Sequence, residues 1–103
     1  MTTDEKIAAL AAVIENQTLE RLKAQGFSYP GFENSAKTMI IPGRKYTKID
    51  IGTINRSGKL MIERETERIY GIKGYGQVHK GHYYGTLDTV DSFYWGDYYP
   101  RPI

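Results

Sequence analysis

From residue 37 to residue 88 the strand-like segments of this chain follow one another across very short gaps, and that spacing decides most of the fold. A parallel pair of strands needs a crossover of roughly a dozen residues or more, so connections this short permit only an antiparallel meander. Met39-Ile40-Ile41 is an apolar run stopped by Pro42-Gly43. The next segment, RKYTKIDI, alternates: Lys45, Thr47, Ile49 and Ile51 share one face, while Arg44, Tyr46, Lys48 and Asp50 share the other, which is expected to be wet and basic. NRSG (Asn55 to Gly58) reads as a turn, KLMIE as a strand, RETE as a second turn, and RIYGIK as a strand ending near Gly74. GYGQVHKGHYYGTL offers two more short strands around a hairpin bend at Lys80-Gly81, its glycines marking bulges or close backbone approach. The expected sheet is strongly twisted and has about four to six short strands.

Ahead of the meander lies one amphipathic helix, from Thr2 or Thr3 to about Gln25. Ile7, Leu10, Ala11, Ile14, Thr18 and Leu22 recur at helical spacing and fall on one stripe, with Glu15, Glu20, Arg21 and Lys23 outside it. Thr2 and Glu5 have the spacing of a capping box, Gly26 stands where a left-handed residue would end the helix, and Pro30-Gly31 follows as a turn. The expected architecture is α+β: one domain over residues 1–103, with the helix packed on a small antiparallel sheet (about 37–88) and an aromatic tail at 89–103. The tail, with its two prolines, is expected to start as a short helix or turn at Thr89 to Trp95 and to run on extended.

Composition narrows the function classes. The 103 residues are 40% hydrophobic and 25% charged, the balance of a globular chain. No apolar run approaches the roughly 18 residues of a spanning helix, and MTTDEKI is acidic where a signal peptide is basic, so a cytoplasmic location without a membrane is expected. Zero cysteines remove disulfides, thiolate-bound metals and a thiol nucleophile together.

Apparent catalytic motifs fail on their details. Gly76 and Gly81 have phosphate-loop spacing, but His82-Tyr83 follows in place of Lys and Ser or Thr. Gly71, Gly74 and Gly76 reverse the dinucleotide fingerprint and open no helix. Glu63, Glu65 and Glu67 are interleaved with Arg64 and Arg68 as in a solvated turn, and no serine stands in a nucleophile-elbow context. His79 and His82 would face a metal or a phosphate together only if the chain bends between them, and a third ligand is missing. A non-enzymatic protein without metal or cofactor is expected.

Charge is uneven along the chain. Residues 37–86 hold ten basic and four acidic side chains, a surplus of +6, whereas the segments before and after each carry −2. Cations for phosphate and rings for bases interleave here, so Arg44, Tyr46, Lys48, Lys73, Tyr75, His79, Lys80, His82 and Tyr84 are the candidate nucleic-acid contacts, made mainly to phosphate. The alternative use of these residues is structural, because Tyr favours strands and Lys protects strand edges. Phe93, Tyr94, Trp95, Tyr98 and Tyr99 crowd five of the thirteen aromatic rings into seven residues, and a domain this small is not expected to bury them all. They are candidates for a protein interface, either with a host protein or in a homo-oligomer. Sequestration of a small nucleotide in a Gly- and Tyr-rich pocket is a third possibility.

Across about residues 42–89, PGRKYTKIDIG, RIYGIK and YGTLDT resemble small proteins of unassigned function encoded by bacteriophages and other bacterial mobile elements. Those proteins combine a helical N-terminus with a G-[RK]-K-Y-x-[KR]-[IV] strand and a later basic segment after an Ile-Tyr pair. The resemblance implies an origin in a phage or mobile element, and with it a bacterial host's cytoplasm, more than an activity; a nucleic-acid-binding accessory protein, or alternatively an inhibitor of a host defence protein, is what the basic and aromatic residues themselves suggest. Where many members carry a Lys-x-Pro-Ala-Lys stretch, this chain has GYGQVHKGHYYG.

Overall fold

The structure is a computed structural model describing residues 1–53, 56–74 and 76–103. Helix α1 (Thr3–Ala24) is followed by a short 3₁₀ turn (Phe32–Ser35) and five strands: β1 (Thr38–Ile41), β2 (Tyr46–Ile51), β3 (Ser57–Glu63), β4 (Arg68–Lys73) and β5 (Gln77–Thr86). The strands pair in sequence order, all antiparallel, as the short connections require. A 3₁₀ helix (Leu87–Ser92) then leads into β6 (Phe93–Tyr94) and β7 (Arg101–Pro102), a two-stranded ribbon where the sequence suggested a plain extended tail.

The ends of α1 are set by local chemistry. The Thr2 hydroxyl accepts from the Glu5 amide while the Glu5 carboxylate accepts from the Thr2 amide, so two otherwise orphaned donors are satisfied reciprocally. At the other end Gly26, at φ 89°, lets its own amide reach Lys23 O and the Phe27 amide reach Leu22 O, the pair of bonds that closes a helix through a left-handed residue.

All six residues of the apolar stripe are buried. Opposite partners in an antiparallel pair share a face, so the register fixes what they meet. The rows Ile40–Ile49–Leu60 and Thr47–Ile62–Ile69 face the helix. Ile7, Leu10, Ala11 and Ile14 pack there with Ile49, Leu60, Ile62, Ile69, Tyr84, Leu87 and Trp95. Leu22 packs separately against Phe32 and Ala36.

Polar clips hold the helix down from both ends. Near its start, Lys6 Nζ lies 2.9 Å from both Glu67 and Asp88, Thr3 donates to Glu67, and Arg64 bridges Asp4 to the buried Thr47 hydroxyl. Lys6 holds the Glu67 carboxyl below its usual range, and Glu67 in turn raises Lys6. That contribution is therefore complete between the two ordinary values and decays as pH falls through the folded value of Glu67 or rises through that of Lys6. Near its end, the Gln17 side chain accepts from the Trp95 amide at 2.7 Å.

Four expectations need correction. Lys80-Gly81 is not a hairpin bend: residues 77–86 form one ten-residue strand. Tyr70 pairs with Tyr83 and Gly71 with His79, so Lys80, Gly81 and His82 are extra residues extruded as a bulge. Tyr84 and Trp95, expected at a contact surface, lie inside at 9% and 0% exposure because Tyr84 meets Phe93 and Trp95 edge-on, and the tilted Phe93 and Trp95 rings pack together to fill the end of the core. Asp50, expected on a wet face, is buried at 3% exposure under the side chains of Lys48 and Arg56. The tail's helical turn starts earlier than Thr89, at Leu87, whose side chain joins the core.

The aromatic tail thus divides into anchor and surface. Trp95→Ala is expected to cost about 3–5 kcal/mol as a core truncation, whereas Tyr98→Ala, at an exposed ring, should change stability by less than about 0.5 kcal/mol; urea melts of the two variants check this.

Candidate functional site

Because α1 covers one face of the sheet, the other is left without a second layer. A continuous row crosses all five strands on that face: Ile41, Lys48, Met61, Tyr70 and Tyr83, each directly opposite the next. The Tyr70 and Tyr83 rings sit 5.6 Å apart, and Tyr83 is half exposed. Beside this row, the Tyr46 hydroxyl lies 3.5 Å from Glu63, its cross-strand partner, and Lys45 Nζ stands 5.7 Å above the Tyr46 ring.

Glu63 is the electrostatic centre of this patch. Its pKa is held below the ordinary carboxylate value, first by a hydrogen bond from the Thr66 hydroxyl at 2.6 Å and then by the fields of Lys80, Lys45 and Arg68. The fields of three cations from three different segments therefore reach one carboxylate. The neighbouring Tyr70 side chain in turn raises the pKa of Arg68. Further along β2, Lys48 Nζ stands 3.4 Å from Asp50 Oδ1 and Arg56 Nε stands 3.1 Å from Oδ2.

A second concavity lies on the helix side of the sheet, beyond the point where α1 stops covering it. It measures about 250 Å³ and is enclosed by the last turns of α1, the inner surface of β3 to β5, and the strap Gly96–Pro100. Two cations tie the strap down by its carbonyls. Arg21 Nε donates to Gly96 O at 2.5 Å, and Lys59 Nζ donates to Asp97 O at 2.6 Å and to Tyr98 O at 3.3 Å. Burial pushes Lys59 down to about 8, the nearby Arg21 guanidinium adds to the fall, and Asp97 opposes it.

The bulge in β5 delivers the histidines to this side. Their ring centroids are 4.0 Å apart, so the conditional bend needed to bring His79 and His82 together is supplied by the extruded residues. His82 lies over Gly71, where a Cβ would come within 2.9 Å of the His82 Cβ, so β4 needs a glycine there. Tyr99 meets the His82 ring edge-on at 5.8 Å. Among the described residues, no three His, Asp or Glu side chains converge to hold a metal ion.

The proposed nucleic-acid contacts are thereby divided. Tyr46 and Lys48 lie on the open face of the sheet, and Lys80, exposed in the bulge, reaches Glu63 by its field. His79 and His82 lie on the helix side, and Tyr84 lines the core and the cavity there. Arg44 and Lys73 are exposed at the ends of β2 and β4, and Tyr75 falls outside the described residues. Of the partner-binding set, Tyr98 and Tyr99 are exposed at 80% and 61%, whereas Phe93 packs against the core and Tyr94 is half-buried with Arg101 stacked 4.7 Å from its ring. The sequence did not single out Lys45, Lys59, Arg68, Arg21, Tyr70 or Tyr83 as a group. Lys45 and Lys59 stood in the general basic count, but only the register and the bulge determine which cations meet.

No family model matches the chain, and neither does any curated protein or solved structure. Among the described residues no helix is long and apolar enough to cross a membrane.

Two consequences can be measured. Lys48→Glu places a second carboxylate beside buried Asp50 and should destabilise the domain by about 1–3 kcal/mol, where a fully open face would tolerate it. The folded pKa of Lys59 lies below its unfolded value, so the unfolded chain holds the extra proton between about 8 and 10.5 and stability rises with pH across that window. Urea melts at pH 7.5 and 9.5 should show that rise in the wild type, and Lys59→Met should lack it.

Proposed function

We propose that this chain is a non-catalytic binding protein that engages single-stranded nucleic acid through the uncovered face of its sheet. The observation that carries this is the half-exposed Tyr83 ring on a sheet face where Lys45 stands over the Tyr46 ring and where the fields of Lys80, Lys45 and Arg68 all reach Glu63. Three cations act on one carboxylate there, which leaves that part of the face with a surplus of positive charge to offer phosphate. Phosphate oxygens would take the cations, and bases would stack on Tyr83 and Tyr46. A flat, twisted sheet offers rings a platform but no groove that reads base edges in order, so little sequence preference is expected. Lys48, held by Asp50, has a positioning part in this scheme, and Tyr46 and Lys80 keep the roles their sequence context suggested. An accessory protein of a phage or other mobile element, working in a bacterial host, accords with such an activity.

The test is titration of a short labelled oligonucleotide by fluorescence anisotropy at several salt concentrations. With three phosphate contacts, log K against log salt should fall with a slope of about −2, and Lys45→Gln, Arg68→Gln or Lys80→Gln should each make that slope shallower by about 0.7. Tyr83→Ala should cost about 1–3 kcal/mol of binding with the slope unchanged. Absence of binding at low salt, or salt-insensitive self-association through this face, overturns the assignment.

A further inference from the structure

The cavity under the Gly96–Pro100 strap is short of negative charge. Arg21 and Lys59 both enter it, and both are hydrogen-bonded chiefly to backbone carbonyls. Among the described residues the one acid on its rim is Asp97, with Oδ2 taken by Arg101 at 2.6 Å and Oδ1 in a long pairing with Arg21 at 4.0 Å. With Asp97 matched by Arg101, two positive charges remain without a full counter-charge. The depressed pKa of Lys59 has the same origin, burial beside a second cation.

Hydrogen-bond capacity is also left over. Lys59 has three N–H donors and places two on the strap, and Arg21 has five and places one on Gly96 O and one, at 3.4 Å, on Gln25. The Thr18 hydroxyl lines the same cavity, is buried at 3% exposure, and has no hydrogen-bond partner. A buried hydroxyl without a partner costs about 1–3 kcal/mol and invites a ligand or water that satisfies it. The imidazole of His82 supplies a further polar edge.

The remaining walls are apolar and aromatic. Leu22, Ile51 and Tyr84 line the interior, and Tyr98 and Tyr99, their rings in edge contact at 4.8 Å, stand exposed at the mouth. We propose that this cavity is a binding site for a phosphate monoester carrying a planar ring, of the size and chemistry of a nucleoside monophosphate. The phosphate would sit against Lys59, Arg21 and Thr18, its near-double negative charge at neutral pH matching the two uncompensated cations, and the ring would lie against Tyr98, Tyr99 and His82. The site faces the helix side of the sheet, away from Glu63 and its cations, and stands independently of the nucleic-acid proposal.

The experiment is isothermal titration of the full chain with AMP, adenosine and inorganic phosphate, alongside amide chemical-shift mapping with AMP. Saturable AMP binding is expected, at least tenfold tighter than either half, with shifts at Gly96, Asp97, Tyr98 and Tyr99. Lys59→Met and Arg21→Met should each weaken AMP at least tenfold and leave oligonucleotide binding as in the wild type. Both replacements keep an apolar stem in place of an unbalanced cation, so circular dichroism should show the fold retained. If neither variant folds, Thr18→Val, which removes only the unpartnered hydroxyl, must weaken AMP by itself. No AMP binding by the folded wild type overturns the site. Loss of AMP binding in a Lys45→Gln/Arg68→Gln variant with retention in Lys59→Met overturns it too, by assigning the nucleotide to the open face. Adenosine as tight as AMP removes the phosphate role, and inorganic phosphate as tight as AMP removes the ring.

Discussion

Everything in this domain depends on one burial: the stripe of α1 against Ile49, Leu60, Ile62 and Ile69, in the two rows of the sheet that face it. Once those rows face the helix, the pleat sends Lys48, Met61, Tyr70 and Tyr83 to the opposite side, and a register slip of one residue would exchange the two sets entirely. The open face is therefore a by-product of the core. Its cations are displayed where they are because isoleucines next to them in sequence are buried.

The second determinant is the irregularity of β5. A regular strand opposite β4 would have put His79 and His82 on opposite faces, being three residues apart. The extruded Lys80, Gly81 and His82 break that parity, sending both rings to the helix side while the field of Lys80 reaches Glu63 on the other. One local defect thus furnishes a cation to the open face and an imidazole to the cavity.

How far the sequence anticipated this follows the range of the physics involved. The helix, its caps and its six buried positions were legible because capping and 3.6-residue periodicity are local. The antiparallel order followed from connection length, and the burial of Ile49 from alternation. Asp50 was misplaced because alternation tells which face a residue lies on and says nothing of what neighbouring side chains fold over it; Lys48 and Arg56 do so here. The β5 bulge was misread as a hairpin because a glycine between two strand-like runs signals either, and only pairing with β4 decides. The grouping of Arg21 with Lys59 could not be read at all, since it needs the strap carbonyls of residues 96–98, remote in sequence from both.

Trp95 carries one more implication, for how the chain comes to be folded. Its indole closes the end of the core and its amide is held by Gln17, a pairing 78 residues apart, while Arg21 holds Gly96 across 75. Contacts of that span make folding slow relative to a helical bundle of equal size, because the loop must close before they repay it. They also mean that α1, made before the sheet and the tail it packs against, keeps part of its apolar stripe exposed until those have been synthesised. Through that interval the stripe is an apolar surface open to other apolar surfaces, and its burial is completed by residues at the far end of the domain.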